Sequence, residues 1–195
     1  MKVLSFDISS TTIGYCVLEV NEYKITYVQA NYLKPIKTGT IIERLANTRE
    51  KIKEIIKQVK PDEIVIEDII QFMAGGSTAK TIITLTSFNR MIGLLAYDYL
   101  NRPPQMLSVM SIRHCIKRQA NLGGLPKKED LPRLLEKLLD IEFSWVYGKK
   151  GAIKIESYDI SDAICCGYCY IVSKVLNDNS KTRKNTNNKP RKTDK

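Results

Sequence analysis

The sequence predicts an α/β domain on one mixed five-stranded sheet, with strands 1–3 antiparallel, strands 4–5 parallel and helices flanking it. Three observations lead there. Residues 2–32 hold three runs rich in Val, Ile and Tyr, separated by short polar breaks, the pattern of an antiparallel meander. Two later apolar runs, 63–67 and 105–109, each follow a long helical pattern, and a crossover of that length joins parallel strands. Helical spacing of apolar residues takes up most of the remaining chain.

Taken in order, residues 2–8 form the first strand, whose alternation sets Val3, Ser5 and Asp7 on one face. Runs 13–20 and 23–32 follow, joined at Asn21-Glu22. Thr40-Ile-Ile-Glu43 is a capping box, after which Ile41, Leu45, Ile52, Ile55, Ile56 and Val59 recur at helical spacing up to Pro61. Residues 63–67 are a short buried strand that ends in acid. Beyond Gly75-Gly76, a helix over 78–100 stops before Pro103-Pro104 and is apolar enough to serve both a core and a dimer face. Residues 105–109 give the fifth strand and 111–119 a short helix. A loop over 121–126 precedes a helix over 131–139 with Pro132 in its first turn, where proline is tolerated. The last helix spans about 159–176. Residues 1–176 thus form one domain.

The 195-residue chain carries 31 Lys and Arg against 21 Asp and Glu, a net charge of +10. Half of that excess lies in 177–195, where seven basic and two acidic residues accompany no large apolar side chain. Such a segment reads as a disordered basic tail, and the surplus suits a phosphate-bearing partner. No apolar run reaches the roughly 18 residues of a membrane span. Asp7 falls where a secretion signal needs its apolar stretch, so a cytoplasmic protein away from membranes is expected. Cys16, Cys115, Cys165, Cys166 and Cys169 lack a paired metal-binding spacing, and His114 is the sole histidine. Buried reduced thiols are expected, and any metal must be held by carboxylates.

Four acids stand where acids are costly. Asp7 interrupts an apolar strand, Glu67 closes another, and Asp159 and Asp162, three apart, share a face at the start of the last helix. The new parallel strand packs beside the first, which brings Asp7 next to Glu67, and the last helix can present Asp159 and Asp162 to them. Converging carboxylates repel unless cations sit among them. An all-oxygen donor set selects Mg²⁺, with Mn²⁺ as a substitute, and two such ions about 3.5–4 Å apart are the clamp of in-line phosphodiester cleavage. Taken singly, each acid also has an ordinary structural reading, as a turn residue, a salt-bridge partner or a helix-start acid.

At these residues the chain resembles a family. Asp7-Ile-Ser-Ser-Thr-Thr-Ile-Gly-Tyr-Cys-Val17, Ile64-Val-Ile-Glu67 and Asp159-Ile-Ser-Asp-Ala163 are similar to the three active-site motifs of RuvC-type Holliday junction resolvases, in the RNase H-like superfamily. The resemblance implies an RNase H-like fold and a homodimeric Mg²⁺-dependent endonuclease, with about two ions per site, that cuts two strands of a four-way DNA junction symmetrically. It implies Asp7, Glu67, Asp159 and Asp162 as catalytic metal ligands and Lys127 as a catalytic cation. It further implies DNA contacts from Ser10, Thr11, Arg113, Lys117, Lys127 and Lys128, with Phe72 as an aromatic wedge. Gly14, having no side chain, would keep the second strand close to the scissile phosphate. The family's Pro-Gly after the first aspartate is Ile8-Ser9 here, which bears on sequence preference and junction selectivity.

Other classes fit less well. The run from Asp7 through Ser9 and Thr12 to Gly14 also resembles the first phosphate loop of actin- and sugar-kinase-like ATPases. That fold needs a duplicated domain for which 176 residues leave no room. A nuclease of broader branched-DNA specificity and a non-catalytic nucleic-acid-binding module of the same fold are the remaining alternatives.

Overall fold

The computed structural model describes residues 1–22, 24–69, 78–143, 145–149, 151 and 153–176. The expected basic tail and the expected wedge Phe72 lie outside the described residues.

Strands β1 (Lys2–Ile8), β2 (Ile13–Asn21) and β3 (Lys24–Leu33) form the meander. Helix α1 (Ile41–Val59), β4 (Glu63–Asp68), α2 (Ala79–Leu100) and β5 (Gln105–Ser108) follow as two crossovers. Helix α3 (Val109–Gln119), a 3₁₀ turn (Lys128–Asp130), α4 (Leu131–Leu139) and α5 (Ile155–Tyr170) complete the domain, and α5 runs on in wider π turns through Ile171–Leu176. The sheet order is β3-β2-β1-β4-β5. β1 pairs antiparallel with β2 and parallel with β4, and β4 pairs parallel with β5, as expected from the crossovers.

The strands are apolar because both faces of the sheet are covered. Leu4, Phe6, Ile13, Val17, Ile64 and Ile66 pack against α1 and α2 through Ile52, Ile56, Phe88 and Ile92. Val3, Cys16, Leu18 and Val65 face the opposite way, onto α3, α4 and α5 through Ile112, Leu135, Ile164 and Cys165. The period-2 alternation of β1 sorts its side chains between these layers, and Ser5 on the second face donates to the Ala163 carbonyl of α5 at 2.7 Å. All five cysteines are buried free thiols. No helix among the described residues is long and apolar enough to cross a membrane.

Local start signals explain the element boundaries. Thr40 and Glu43 form the expected reciprocal cap of α1: Thr40 N donates to Glu43 Oε2 at 2.7 Å and Glu43 N to Thr40 Oγ1 at 3.3 Å. α5 departs from expectation, beginning at Ile155 rather than about 159. Its N-cap is Lys154, which makes no side-chain cap bond, so the usual Ser/Thr/Asp/Asn signal is missing there. Asp159 and Asp162 consequently lie in the second and third turns of α5, where macrodipole stabilisation of a helix-start acid no longer accounts for them.

The approach of α5 to the sheet depends on Gly14. A Cβ at Gly14 would lie 2.2 Å from the Asp159 carbonyl oxygen, well inside contact distance. Gly14 also pairs directly with Asp7 across β1 and β2, so the glycine is what lets the helix bring Asp159 down beside the end of β1. Gly14→Ala is expected to cost about 1–3 kcal/mol or more through overpacking against backbone that cannot rotate away. Urea unfolding midpoints of the two proteins check this, and an unchanged midpoint contradicts the close approach.

Candidate active site

The register that pairs Phe6 with Ile66 places the next residues, Asp7 and Glu67, side by side at the carboxyl ends of two parallel strands. In open α/β sheets this is the edge where ligands bind. The Asn89 amide of α2 donates to the Glu67 carbonyl at 3.0 Å and pins the end of β4. Asn89 is buried. Helix α5 delivers Asp159 and Asp162 from above the sheet, on one face because of their i, i+3 spacing. Asp7, Asp159 and Asp162 are all buried and Glu67 is half-buried. The four acids line one cleft of about 290 Å³, together with Ser9, Ser10, Asp68 and Lys128.

Two cations moderate this concentration of negative charge. Lys128 Nζ lies 2.9 Å from Asp162 Oδ2 and 3.3 Å from Asp159 Oδ1. Burial pulls its ammonium down, but Asp162, Asp159 and Asp7 together hold its pKa above the ordinary lysine value. Arg113 of α3 donates through Nη2 to Asp162 Oδ1 at 3.0 Å, with the side chain only 15% exposed. Its other terminal nitrogen, Nη1, is buried without a hydrogen-bond partner.

The carboxylates remain strained electrostatically. Burial first, then the charges of Glu67, Asp162 and Asp159, push the Asp7 carboxyl well above its usual range. Burial and Asp162 push Glu67 up to about 7, against the opposing pull of Arg113 and Lys128. Asp159 is raised as well, by burial, with Lys128 opposing. Acids raised in this way bind a proton or a metal cation more readily than an isolated surface acid does.

The donor set suits a hard divalent cation: every side chain is a carboxylate, the group is sheltered, and an ammonium already stands between two of the acids. Among the described residues, no three His, Cys, Asp or Glu side chains stand close enough to share one ion in this arrangement. Lys128 spans Asp159 and Asp162 instead, and its side chain, 41% exposed, has room to turn outward.

The remaining expected positions separate clearly. Lys127, expected as the cation of the site, is exposed. Its backbone N–H donates to Asp130 at 3.0 Å, and the 3₁₀ turn that follows directs Lys128 inward. Lys128, expected among the DNA contacts, is the lysine that the structure places at the acids. Arg113, expected among the DNA contacts, is bound to Asp162. Lys117 is half-buried on α3 and does not line the cleft. Ser10 lines both the acidic cleft and an adjoining groove, which Thr11 also lines. The sequence reading missed Asn89 and Asp68. A lone amide on the apolar face of α2 and a second acid directly after Glu67 were the available signals.

A five-stranded sheet of order 3-2-1-4-5 with carboxylates at the ends of its first and fourth strands defines an RNase H-like α/β protein. The family profile described as "Crossover junction endodeoxyribonuclease RuvC" matches residues 3–170, and the chain belongs to that family. A relative of that name from Sulfurovum sp. (strain NBC37-1) is 28% identical over 176 residues, covering 88% of this chain and 95% of its own. Another from Aliarcobacter butzleri is 26% identical over 164 residues, covering 84% and 94%. Among solved structures, Thermus thermophilus RuvC superposes with a TM-score of 0.66 at 16% identity, over 91% of this chain and 97% of its own. The yeast mitochondrial Holliday junction resolvase gives 0.66 at 14%, over 94% and 83%. At those identities the two structures establish a shared fold.

The raised acids predict how stability depends on pH. Glu67 ordinarily titrates near 4.5 and is pushed up to about 7 in the folded protein. The folded state holds its proton more tightly than the unfolded chain, so the metal-free protein loses stability as pH rises between those values. Glu67→Gln removes that loss. In denaturant melts with a chelator present, the two proteins should agree near pH 4.5, and the variant should lead by on the order of 2–3 kcal/mol near pH 8. A gap that does not change with pH contradicts the assignment.

Proposed function

We propose that the chain resolves four-way DNA junctions by paired phosphodiester cleavage, as a divalent-metal-dependent endonuclease using Mg²⁺ or Mn²⁺. The observation that carries this reading is the convergence of Asp7, Glu67, Asp159 and Asp162 in one cleft of a RuvC-family domain. These four acids would hold the cations. Bound there, the metal ions would supply Lewis-acid stabilisation of the phosphate and an activated water, with two ions serving the attacking and leaving oxygens.

The chain's own residues account for the rest of the site. Arg113 fixes Asp162, and Asn89 fixes the backbone of Glu67, so two acids from different elements keep their places without help from the ligand. Ser9 steadies the turn after Asp7: its Oγ accepts from Thr12 N at 2.9 Å and donates to the Thr12 carbonyl at 2.7 Å. Ser10, on that turn, faces both the cleft and the groove beside it. Lys128 can turn its ammonium from the acids to an entering phosphate and place a positive charge beside it.

Paired cuts need two sites on one substrate, which a two-fold dimer supplies. On α2 the helical spacing places Ile83, Leu94 and Tyr97 on one side, and these are 63%, 62% and 47% exposed. Phe88, Ile92 and Leu95 of the same helix are buried in the core. The outer stripe supports a homodimer through α2.

With labelled four-way junction, duplex, flap and single strand in Mg²⁺, symmetric nicks confined to the junction are expected. Asp7→Asn should lower the rate by at least about 10³-fold while retaining junction binding in Ca²⁺ within a few-fold, because the acid serves metal rather than DNA. Normal cutting by the variant overturns the assignment of Asp7. Equal cutting of flap and junction replaces the resolvase by the broader branched-DNA nuclease.

A further inference from the structure

Directly beside the acidic cleft lies a second groove of about 250 Å³, whose lining includes Ser10, Thr11, Lys37, Arg44, Lys80 and Thr81. Ser10 and Thr81 line both spaces, so the two are continuous. Their charges are opposite. The cleft gathers carboxylates, whereas the groove is lined by three cations and hydroxyl groups and by no acid. The cations come from separate parts of the chain: Lys37 from the β3–α1 connection, Arg44 from the first turn of α1, and Lys80 from the first turn of α2.

Arg44 is the informative residue. Its Nε donates to the Ile36 carbonyl at 2.7 Å and its Nη2 to the Ser10 carbonyl at 2.8 Å. Its guanidinium also lies 5.5 Å from the centre of the Phe88 ring. The side chain is therefore fixed on three sides and only half-exposed. Among the described residues it has no carboxylate partner; the ion pairs there involve other arginines and lysines. A charge held rigidly by neutral carbonyls and left without a counter-ion is pre-organised for an anion, since the ordering has been done before the ligand arrives. Lys37 and Lys80 likewise form no ion pair among the described residues.

We propose that this groove is a second phosphate-binding subsite, which holds a neighbouring backbone phosphate of the strand whose scissile phosphate lies in the acidic cleft. The inference rests on the nuclease reading and deepens it by giving the cut strand a direction across the protein, from the acids over Ser10 toward Lys37 and Lys80. It also gives Arg44 a double role. By holding the Ser10 carbonyl it ties the turn after Asp7 to the groove, so one side chain sets the relative position of the two subsites. Ser10, expected from the sequence as a DNA contact, then acts from between the two spaces, and Thr11, expected likewise, from the groove.

The test is the salt dependence of binding by the full chain, measured in Ca²⁺ by fluorescence anisotropy with a four-way junction and, separately, with a single-stranded oligonucleotide. Each phosphate neutralised contributes about 0.9 to the slope of log K against log salt for duplex arms, and about 0.7 for a single strand. Lys37→Gln/Lys80→Gln, both exposed positions whose replacement does not threaten folding, should lower the slope by about 1–2 and weaken binding roughly tenfold or more at 100 mM salt. Adding Arg44→Gln should lower the slope further. Lys57→Gln/Lys60→Gln, at the far end of the sheet where α1 finishes, should leave slope and affinity unchanged. An unchanged slope in the Lys37/Lys80 variant, or an equal fall in the Lys57/Lys60 variant, overturns the subsite. A wild type that binds single strand but not junction overturns the resolvase reading alone, because the single-strand slopes still decide the groove.

Discussion

Four carboxylates share one small, sheltered cleft, and much of the structure can be read as the means of holding them there. Left alone they would separate or take up protons, and the raised pKa values of Asp7, Glu67 and Asp159 express that tendency. What opposes it is the packing of the sheet and α5, set by the core on both faces. Gly14 lets the helix approach, Asn89 and Arg113 fix two of the acids' supports, and Lys128 lends a positive charge. The site is thus destabilising to the folded chain and is retained by contacts elsewhere, the usual relation between a functional site and its scaffold.

Charge is arranged by place rather than by total. The chain's excess of positive charge is large, yet the cleft is lined by five acids and one lysine, and the basic groove lies immediately beside it. A polyanion is drawn by the surplus, but it can approach the acids only with cations present. On the proposed reading, electrostatics of this kind separate binding from cleavage, because the residues that would attract the strand are not those that would hold metal.

The fold was legible because its signals are local and consistent. Short breaks in the meander and long helical crossovers fixed the strand order, and the adjacency of Asp7 and Glu67 followed from the pairing of the first and fourth strands. Boundaries and orientations were less accessible. α5 starts at Ile155 behind Lys154, which carries no capping side chain, so no conventional start signal marks that boundary. Lys127 and Lys128 are neighbours of identical type, and only the 3₁₀ turn decides which one meets the acids. The pairing of Arg113 with Asp162 was not legible, because nothing in its own helix reveals that α5 brings Asp162 to it. Arg44 drew no notice, since its partners are backbone carbonyls distant in sequence.

The central claim is that the four acids form a site for divalent cations, for which Lys128 stands in. Anomalous diffraction from crystals of the full chain soaked in Mn²⁺ tests it most directly. The account predicts Mn²⁺ peaks in the cleft bounded by Asp7, Glu67, Asp159 and Asp162, with the Lys128 ammonium displaced from Asp159 and Asp162. Mn²⁺ bound only elsewhere, with Lys128 still bridging the two aspartates, would contradict it.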